Sequence, residues 1–269
     1  EDGCLTLPGI QNYYQDCCTF QSEEIGQGME VLEERQRAWV LSSWQIVVNR
    51  YPGLGETIVA STAPYGFKGF LGMRNFTLKT EDGELLSYAN SIWTNIDTET
   101  GLPARLTDED IRGYELDEKL DGFIAACTTE DMTQEECLHA CYEAVRALRY
   151  LGRNPAYGPE VKTIPYDKQL EFADKILSTG KGDCYNFAAV FCLLARKLGY
   201  LASPIVGECG YSWNWYPIAH GWVEIEMDGE TYLFDPQIEN YNLRAGISNE
   251  THSAWQVTYE SAPARYLKH

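Results

Sequence analysis

Residues 180–199 read GKGDCYNFAAVFCLLARKLG, a glycine-rich turn followed by a nearly continuous apolar segment. This pattern predicts a buried helix that begins near Cys184 and ends at Gly199. Cys184 would then stand at the N-terminus of the helix, where unpaired backbone N–H groups and the helix dipole favour an anion. The thiolate is the nucleophilic form of cysteine, so Cys184 is a candidate catalytic residue.

A histidine and an aspartate follow in a pattern typical of a hairpin. Residues 219–227 alternate as a half-buried strand that contains His220, the pair Asp228-Gly229 is a favoured turn, and the chain returns to Asp235. Counted from the turn, His220 and Asp235 fall at the same end of the sheet. A lone cysteine or histidine is usually structural, but the three residues together favour catalysis, with His220 as base and Asp235 orienting it.

Other polar and aromatic residues of this half are weaker candidates. Tyr211, Trp213 and Trp215 precede His220 and could bind substrate as oxyanion donors or groove walls, although simple packing of these aromatics is an equally good interpretation. The helix that starts at the capping box Thr133–Glu136 carries Cys137, His139 and Cys141. Because His139 faces away from the two cysteines on a helix and no fourth ligand is evident, we expect neither a metal nor a cofactor.

The N-terminal half has the pattern of one helix and a sheet. Thr6 can cap a helix whose first turn contains Pro8. A short helix over 29–35 is expected next, and then the period changes to two, as in Trp44, Ile46 and Val48. Asp82-Gly83 is a hairpin turn, so we expect an antiparallel sheet wrapped on one helix.

Composition narrows the class of protein. The chain has 269 residues, of which 44% are hydrophobic, so it can bury sizeable cores and suits two domains. Its net charge of −19 repels nucleic acid, and its longest apolar run, 187–195, is too short to span a membrane. Nine cysteines without a regular framework favour reduced thiols and a cytoplasmic protein, with a removed signal peptide as the alternative because the chain begins at Glu1.

Five motifs of the N-terminal half resemble one known family. They are LPGIQNYYQD at 7–16, AWVL at 38–41, RYP at 50–52, RNF at 74–76 and ANSIW at 89–93. In this order and spacing they resemble the first hot-dog domain of a bacterial acyl-(acyl carrier protein) thioesterase, over residues 1–121. That family has two hot-dog domains in tandem, the first shaping the acyl pocket and the second supplying the catalytic Asn and His, and no counterpart of the second is visible. The resemblance implies an acyl-thioester substrate and an acyl carrier protein as partner.

The C-terminal half is similar to a second family. The segments GDCYNFA at 182–188, LGY at 198–200, PIVG at 204–207, HGWVE at 220–224 and FDP at 234–236 resemble the transglutaminase-like core shared with cysteine peptidases and amidases. In this resemblance Cys184, His220 and Asp235 match the family's Cys, His and Asp. It implies thiolate attack on an amide or ester, an acyl-enzyme, and release to water or to an amine.

The sequence therefore predicts an α+β fusion. Residues 1–121 form a hot-dog domain that lacks its opening strand, and residues 122–269 form a papain- or transglutaminase-like catalytic domain. The leading function is a cysteine acyl transferase or hydrolase acting on peptide or carboxamide bonds. The alternatives are a thioesterase of fatty-acid synthesis and a non-catalytic binding module. A homodimer through the hot-dog half is also expected, because an orphan hot-dog domain exposes apolar surface.

Overall fold

The computed structural model describes residues 3–152, 157–211 and 218–269. It is a mixed α+β structure, as expected, and it divides into two compact units, Glu1–Glu115 and Leu116–His269. The helices are α1 Leu7–Glu24, α2 Met29–Glu34, α3 Asp108–Cys127, α4 Gln134–Arg146, α5 Tyr166–Thr179, α6 Cys184–Lys197 and α7 Pro236–Ala245. The strands are β1 Arg37–Val48, β2 Ile58–Lys68, β3 Leu71–Thr80, β4 Leu85–Asp97, β5 Arg149–Tyr150, β6 Lys181–Gly182, β7 Leu201–Tyr211, β8 Ile218–Met227, β9 Glu230–Phe234 and β10 Ala264–Lys268.

The first unit is an antiparallel sheet packed on one helix. The strands lie in the order β1-β4-β3-β2, and the turn at Asp82-Gly83 joins β3 to β4, as predicted. Thr6 caps α1 by accepting a hydrogen bond from the Gly9 N–H at 3.3 Å. Tyr14 of α1 is fully buried, and its ring lies 5.0 Å from that of Phe76 on β3, so this face of the helix forms the core with the sheet.

The second unit packs helices on a separate antiparallel sheet. Its strands lie in the order β10-β7-β8-β9, while β5 and β6 form a short parallel pair. Helix α6 is buried throughout 184–195 and contacts β7, β8, α4 and α5, because its apolar residues lie on all sides rather than in one stripe. This central helix fixes the position of Cys184 relative to the sheet.

Helix α7 and strand β10 of the second unit were not predicted. Asp235 is the N-cap of α7, and Pro236 occupies the first turn of that helix. The terminal residues 264–268, which showed no periodic pattern, form β10 and pair with β7. Both elements contribute to the candidate site.

His139 and Cys141, two of the residues considered for a zinc site, contact different neighbours. The His139 ring lies 4.7 Å from the ring of Trp255, and the Cys141 sulfur lies 3.6 Å from that of Cys127. Among the helices in the described parts of the chain, none has the length and apolar character needed to cross a membrane.

Candidate active site

Cys184 begins α6 directly after a well-formed helix cap. One carboxylate oxygen of Asp183 accepts hydrogen bonds from the Tyr185 N–H at 2.9 Å and the Asn186 N–H at 3.3 Å. The Asn186 amide oxygen in turn accepts from the Asp183 N–H at 2.9 Å, which completes a capping box. This reciprocal cap fixes the first turn of α6, and the Cys184 side chain there is only 3% exposed.

His220 and Asp235 meet at one end of the β8–β9 hairpin. Val223 of β8 pairs with Phe234 of β9; His220 precedes Val223 by three residues on β8, and Asp235 directly follows β9. His220 Nε2 lies 2.6 Å from Asp235 Oδ2 and donates a hydrogen bond to it. Both side chains are buried, so the pair is shielded from water.

A glycine brings the helix close to this pair. A β-carbon on Gly221, the neighbour of His220, would lie only 2.7 Å from Cδ1 of Tyr185, the neighbour of Cys184. Glycine therefore allows the Tyr185 ring to pack directly on β8. Cys184 itself lies close enough to His220 to be one of the groups that raise the pKa of the imidazole.

Asp235 accepts four hydrogen bonds that fix its orientation. Its Oδ1 accepts from the backbone N–H groups of Gln237 at 3.1 Å and Ile238 at 2.9 Å, which cap α7. Its Oδ2 accepts from His220 and also from the Tyr266 hydroxyl of β10 at 2.9 Å. The carboxylate is thus held by a helix N-terminus on one side and by two side chains on the other.

The environment of His220 favours its charged form. Burial by itself lowers the pKa of the imidazole, but the charge of Asp235, the hydrogen bond to it and the interaction with Cys184 outweigh burial and raise the pKa of His220 to about 10. These interactions therefore favour the imidazolium form of His220 at neutral pH.

A second thiol, Cys209 on β7, lies in the same cluster. Its sulfur, a ring nitrogen of His220 and a carboxylate oxygen of Asp235 all lie within 4.8 Å of one another, and these residue types can bind a metal ion such as zinc. Burial first, and then the charge of Asp235, raise the pKa of Cys209 well above its ordinary value. Cys209 is thus held as a neutral thiol.

The predicted aromatic residues are only partly described. Trp213 and Trp215 lie outside the described residues. Tyr211 ends β7, and its hydroxyl donates to the Asn242 side-chain oxygen at 2.5 Å. The sequence did not indicate a role for Cys209 or Tyr266. Tyr266 stands out only as an aromatic residue within the short terminal segment Ala264–Lys268.

The first unit contains a separate cavity of about 640 Å³ between α1, α2 and the sheet. Arg74, 7% exposed, lies in its wall and donates to the Thr62 hydroxyl at 3.1 Å and to Gln21. The large apolar residues of the wall are Met29, Leu32, Trp39, Phe67, Met73 and Trp93. The volume is typical of pockets for small ligands.

The two halves of the chain are similar to different families. Residues 1–114 match the family described as the acyl-ACP thioesterase N-terminal domain, and residues 124–236 match the transglutaminase-like superfamily. An acyl-[acyl-carrier-protein] hydrolase from Cuphea viscosissima and a palmitoyl-acyl carrier protein thioesterase from Cuphea hookeriana, both chloroplastic, are each 33% identical over 78 residues. Those alignments cover 28% of this chain and 19% of each relative, so the matched segment spans about a fifth of the relatives' length.

Two solved structures show similarity over a comparable share of the chain. A candidate oleoyl thioesterase from Lactobacillus plantarum is 22% identical, with a TM-score of 0.42, over 42% of this chain and 44% of that one. A DHNA-CoA thioesterase from Staphylococcus aureus is 13% identical, with a TM-score of 0.40, over 45% of this chain and 83% of that one. Residues 1–114 are thus similar to the N-terminal domain of acyl-ACP thioesterases, and residues 124–236 are similar to the transglutaminase-like superfamily.

Proposed function

We propose that the second unit is a cysteine acyl transferase or hydrolase that acts on peptide or carboxamide bonds through Cys184, His220 and Asp235. The observation that carries this proposal is the buried cluster in which His220 interacts with Cys184 and donates a 2.6 Å hydrogen bond to Asp235. A nucleophile, a base and an orienting carboxylate are the groups that covalent acyl transfer requires.

The first chemical step would form the acyl-enzyme. The Cys184 thiolate attacks the carbonyl carbon, a C–S bond forms, and the carbonyl π electrons move to oxygen. As the tetrahedral species collapses, the C–N bond breaks and His220 gives its proton to the leaving nitrogen, which departs as an amine or as ammonia. A raised His220 pKa suits this role, because the resting imidazolium already carries the proton that is needed.

The second step would release the acyl group. Neutral His220 takes a proton from water or from an amine, whose oxygen or nitrogen attacks the thioester carbonyl. The C–S bond then breaks and the thiolate is regenerated beside the imidazolium. Asp235 keeps its charge throughout and holds His220 in one orientation.

The backbone offers one donor for the oxyanion. Asp183 already engages the N–H groups of Tyr185 and Asn186, whereas Cys184 is the first residue of α6 and its N–H has no acceptor within the helix. We assign this N–H to the developing negative charge on the carbonyl oxygen, which such donors stabilise by about 3–4 kcal/mol.

The electrostatics favour Cys184 over Cys209 as the nucleophile. Burial and the adjacent Asp235 carboxylate raise the pKa of Cys209, so that its thiol stays protonated. Cys184 instead lies at a helix N-terminus, which favours negative charge.

The test uses peptide carboxamides and activated esters as acyl donors, with hydroxylamine as the acceptor. Wild-type protein should form hydroxamates, Cys184→Ala should form none, and Cys209→Ala should retain activity. Loss of activity in Cys209→Ala with retention in Cys184→Ala would reverse the assignment. Absence of turnover with every donor would contradict the proposal.

A second candidate is acyl-thioester hydrolysis, which the family match of residues 1–114 and the apolar cavity of the first unit favour. In this alternative an acyl carrier protein delivers an acyl chain to the protein. Hydrolysis of acyl-carrier-protein substrates that persists in Cys184→Ala would assign the activity to the first unit. Hydrolysis that Cys184→Ala abolishes would assign it to the thiol, and no turnover at any chain length would contradict both forms of this alternative.

A further inference from the structure

The C-terminal strand supplies a side chain to the catalytic cluster from outside the matched family region. The transglutaminase-like match ends at residue 236, whereas Tyr266 lies on β10. Its hydroxyl donates at 2.9 Å to Asp235 Oδ2, the same oxygen that accepts the hydrogen bond from His220. We propose that Tyr266 is a positioning residue that holds Asp235 Oδ2 towards His220, an inference that rests on the function proposed above.

The packing of β10 holds the Tyr266 hydroxyl in place. Tyr266 pairs with Cys209 across the β7–β10 register, and its ring lies 5.1 Å from that of Trp222 on β8. At the end of the strand, Lys268 Nζ forms an ion pair of 2.5 Å with Glu224 Oε1. The tyrosine is therefore fixed by strand pairing, ring packing and an ion pair.

Close approach of β10 to β7 depends on a glycine. A β-carbon on Gly207 would lie 2.1 Å from the Leu267 carbonyl oxygen and 2.7 Å from the Trp222 ring. Any larger residue at this position must therefore displace β10 or its neighbours, and the Tyr266 hydroxyl with them.

The hydroxyl has a specific electrostatic role. Asp235 Oδ1 is already occupied by two backbone N–H groups of α7, so the direction of Oδ2 depends on the donors His220 and Tyr266. Burial first, and then the charge of Asp235, raise the pKa of Tyr266 well above its ordinary value, so the hydroxyl keeps its proton at working pH. Without this donor Oδ2 loses one of the two hydrogen bonds that direct it, and the hydrogen bond that keeps His220 charged weakens.

The test is Tyr266→Phe, with Tyr259→Phe as the matched control. Tyr259 is a partly buried tyrosine whose hydroxyl is also hydrogen-bonded, but its partners are Trp222 and Glu224 rather than Asp235. The rate of Cys184 alkylation by iodoacetamide is measured from pH 6 to pH 9.5 in full-length protein, with thermal melting to verify folding. Iodoacetamide reacts with the thiolate form of cysteine, so the measurement does not depend on the choice of substrate.

In wild-type protein the alkylation rate should be high and nearly constant over this range. Tyr266→Phe should lower the alkylation rate at pH 6 about tenfold, because one charge-assisted hydrogen bond is weakened. The rates of wild type and Tyr266→Phe should converge near pH 9.5, where an ordinary thiol is about 90% ionised. Where a turnover assay exists, kcat should fall and KM should stay constant. A purely structural role would lower the melting temperature without producing this pH dependence.

The outcomes separate this inference from the proposed function. Fast alkylation at pH 6 in both wild type and Tyr266→Phe overturns the role of Tyr266 and leaves the catalytic cluster intact. Slow alkylation in wild type itself contradicts the proposed function and the inference together. If Tyr266→Phe does not fold, Gly207→Ala provides the second variant. Displacement of β10 in Gly207→Ala should cause the same loss of alkylation rate at pH 6. A wild-type pH profile in that variant overturns the inference.

Discussion

Asp235→Asn is the substitution that most selectively removes the charge at the centre of the site. Asparagine is as good an N-cap as aspartate, so its oxygen can still accept from the Gln237 and Ile238 N–H groups and α7 should be preserved. The amide NH₂ would then face two donors, His220 Nε2–H and the Tyr266 hydroxyl. To relieve this conflict His220 must adopt the tautomer that carries its proton on Nδ1. Nδ1 could then no longer take a proton from the attacking water or amine.

The magnitude follows from the 2.6 Å separation of His220 Nε2 and Asp235 Oδ2. At an effective dielectric constant of about 20, two unit charges at this distance attract by about 6 kcal/mol, which is an upper limit for the lost stabilisation of the imidazolium. The asparagine dipole recovers part of it. We expect a fall in kcat of about 10³- to 10⁴-fold, equivalent to about 4–5.5 kcal/mol.

The assay compares hydroxamate formation by wild type, Asp235→Asn and the matched control Asp183→Asn. Asp183 is also a buried aspartate that caps a helix, but its oxygen accepts from backbone N–H groups of α6. The control should retain kcat within about threefold, and both variants should melt within about 5 °C of wild type, since a change of 1 kcal/mol shifts the midpoint by a few degrees. A loss of less than tenfold in folded Asp235→Asn would refute an orienting role for this carboxylate.

Three further predictions concern stability, packing and assembly. The raised pKa of His220 in the folded chain stabilises the fold by a few kcal/mol below about pH 6.5, and this stabilisation is lost as the pH rises through about 10. His220→Gln should remove it, so urea unfolding should show a larger loss of stability at pH 6 than at pH 10. An equal loss at both pH values would contradict the prediction. Gly221→Ala should push the Tyr185 ring away from β8 and lower Cys184 alkylation at pH 6 at least tenfold, and an unchanged rate would contradict the close-approach argument. Light scattering should give twice the 30.5 kDa chain mass, because Val40, Val59 and Ile92 of the first unit are 38–47% exposed, whereas a monomer at tens of micromolar would count against a dimer.

Local sequence patterns predicted those elements whose signals lie within a few residues. The capping box Thr133–Glu136 and the turn Asp228-Gly229 both form as expected. The meeting of His220 and Asp235 was also predictable, because a two-residue hairpin fixes the register of its strands.

Long-range features of the site were not predictable in this way. Tyr266 and Cys209 are 57 residues apart in sequence and become neighbours only through pairing of β7 with β10. The short strand β10 alone carries too little periodicity to be identified, and Gly207 and Gly221 show no local sign of the contacts that require them.

We infer that His220 holds Cys184 in its reactive form, a role that alkylation of all nine cysteines can reveal. Native protein is treated with iodoacetamide between pH 5 and pH 8, and each thiol is mapped by peptide mass spectrometry in wild type and His220→Gln. Selective, fast labelling of Cys184 near pH 6 that His220→Gln abolishes is the predicted result. Labelling of Cys184 no faster than the other accessible cysteines, or unaffected by His220→Gln, would contradict this role of His220.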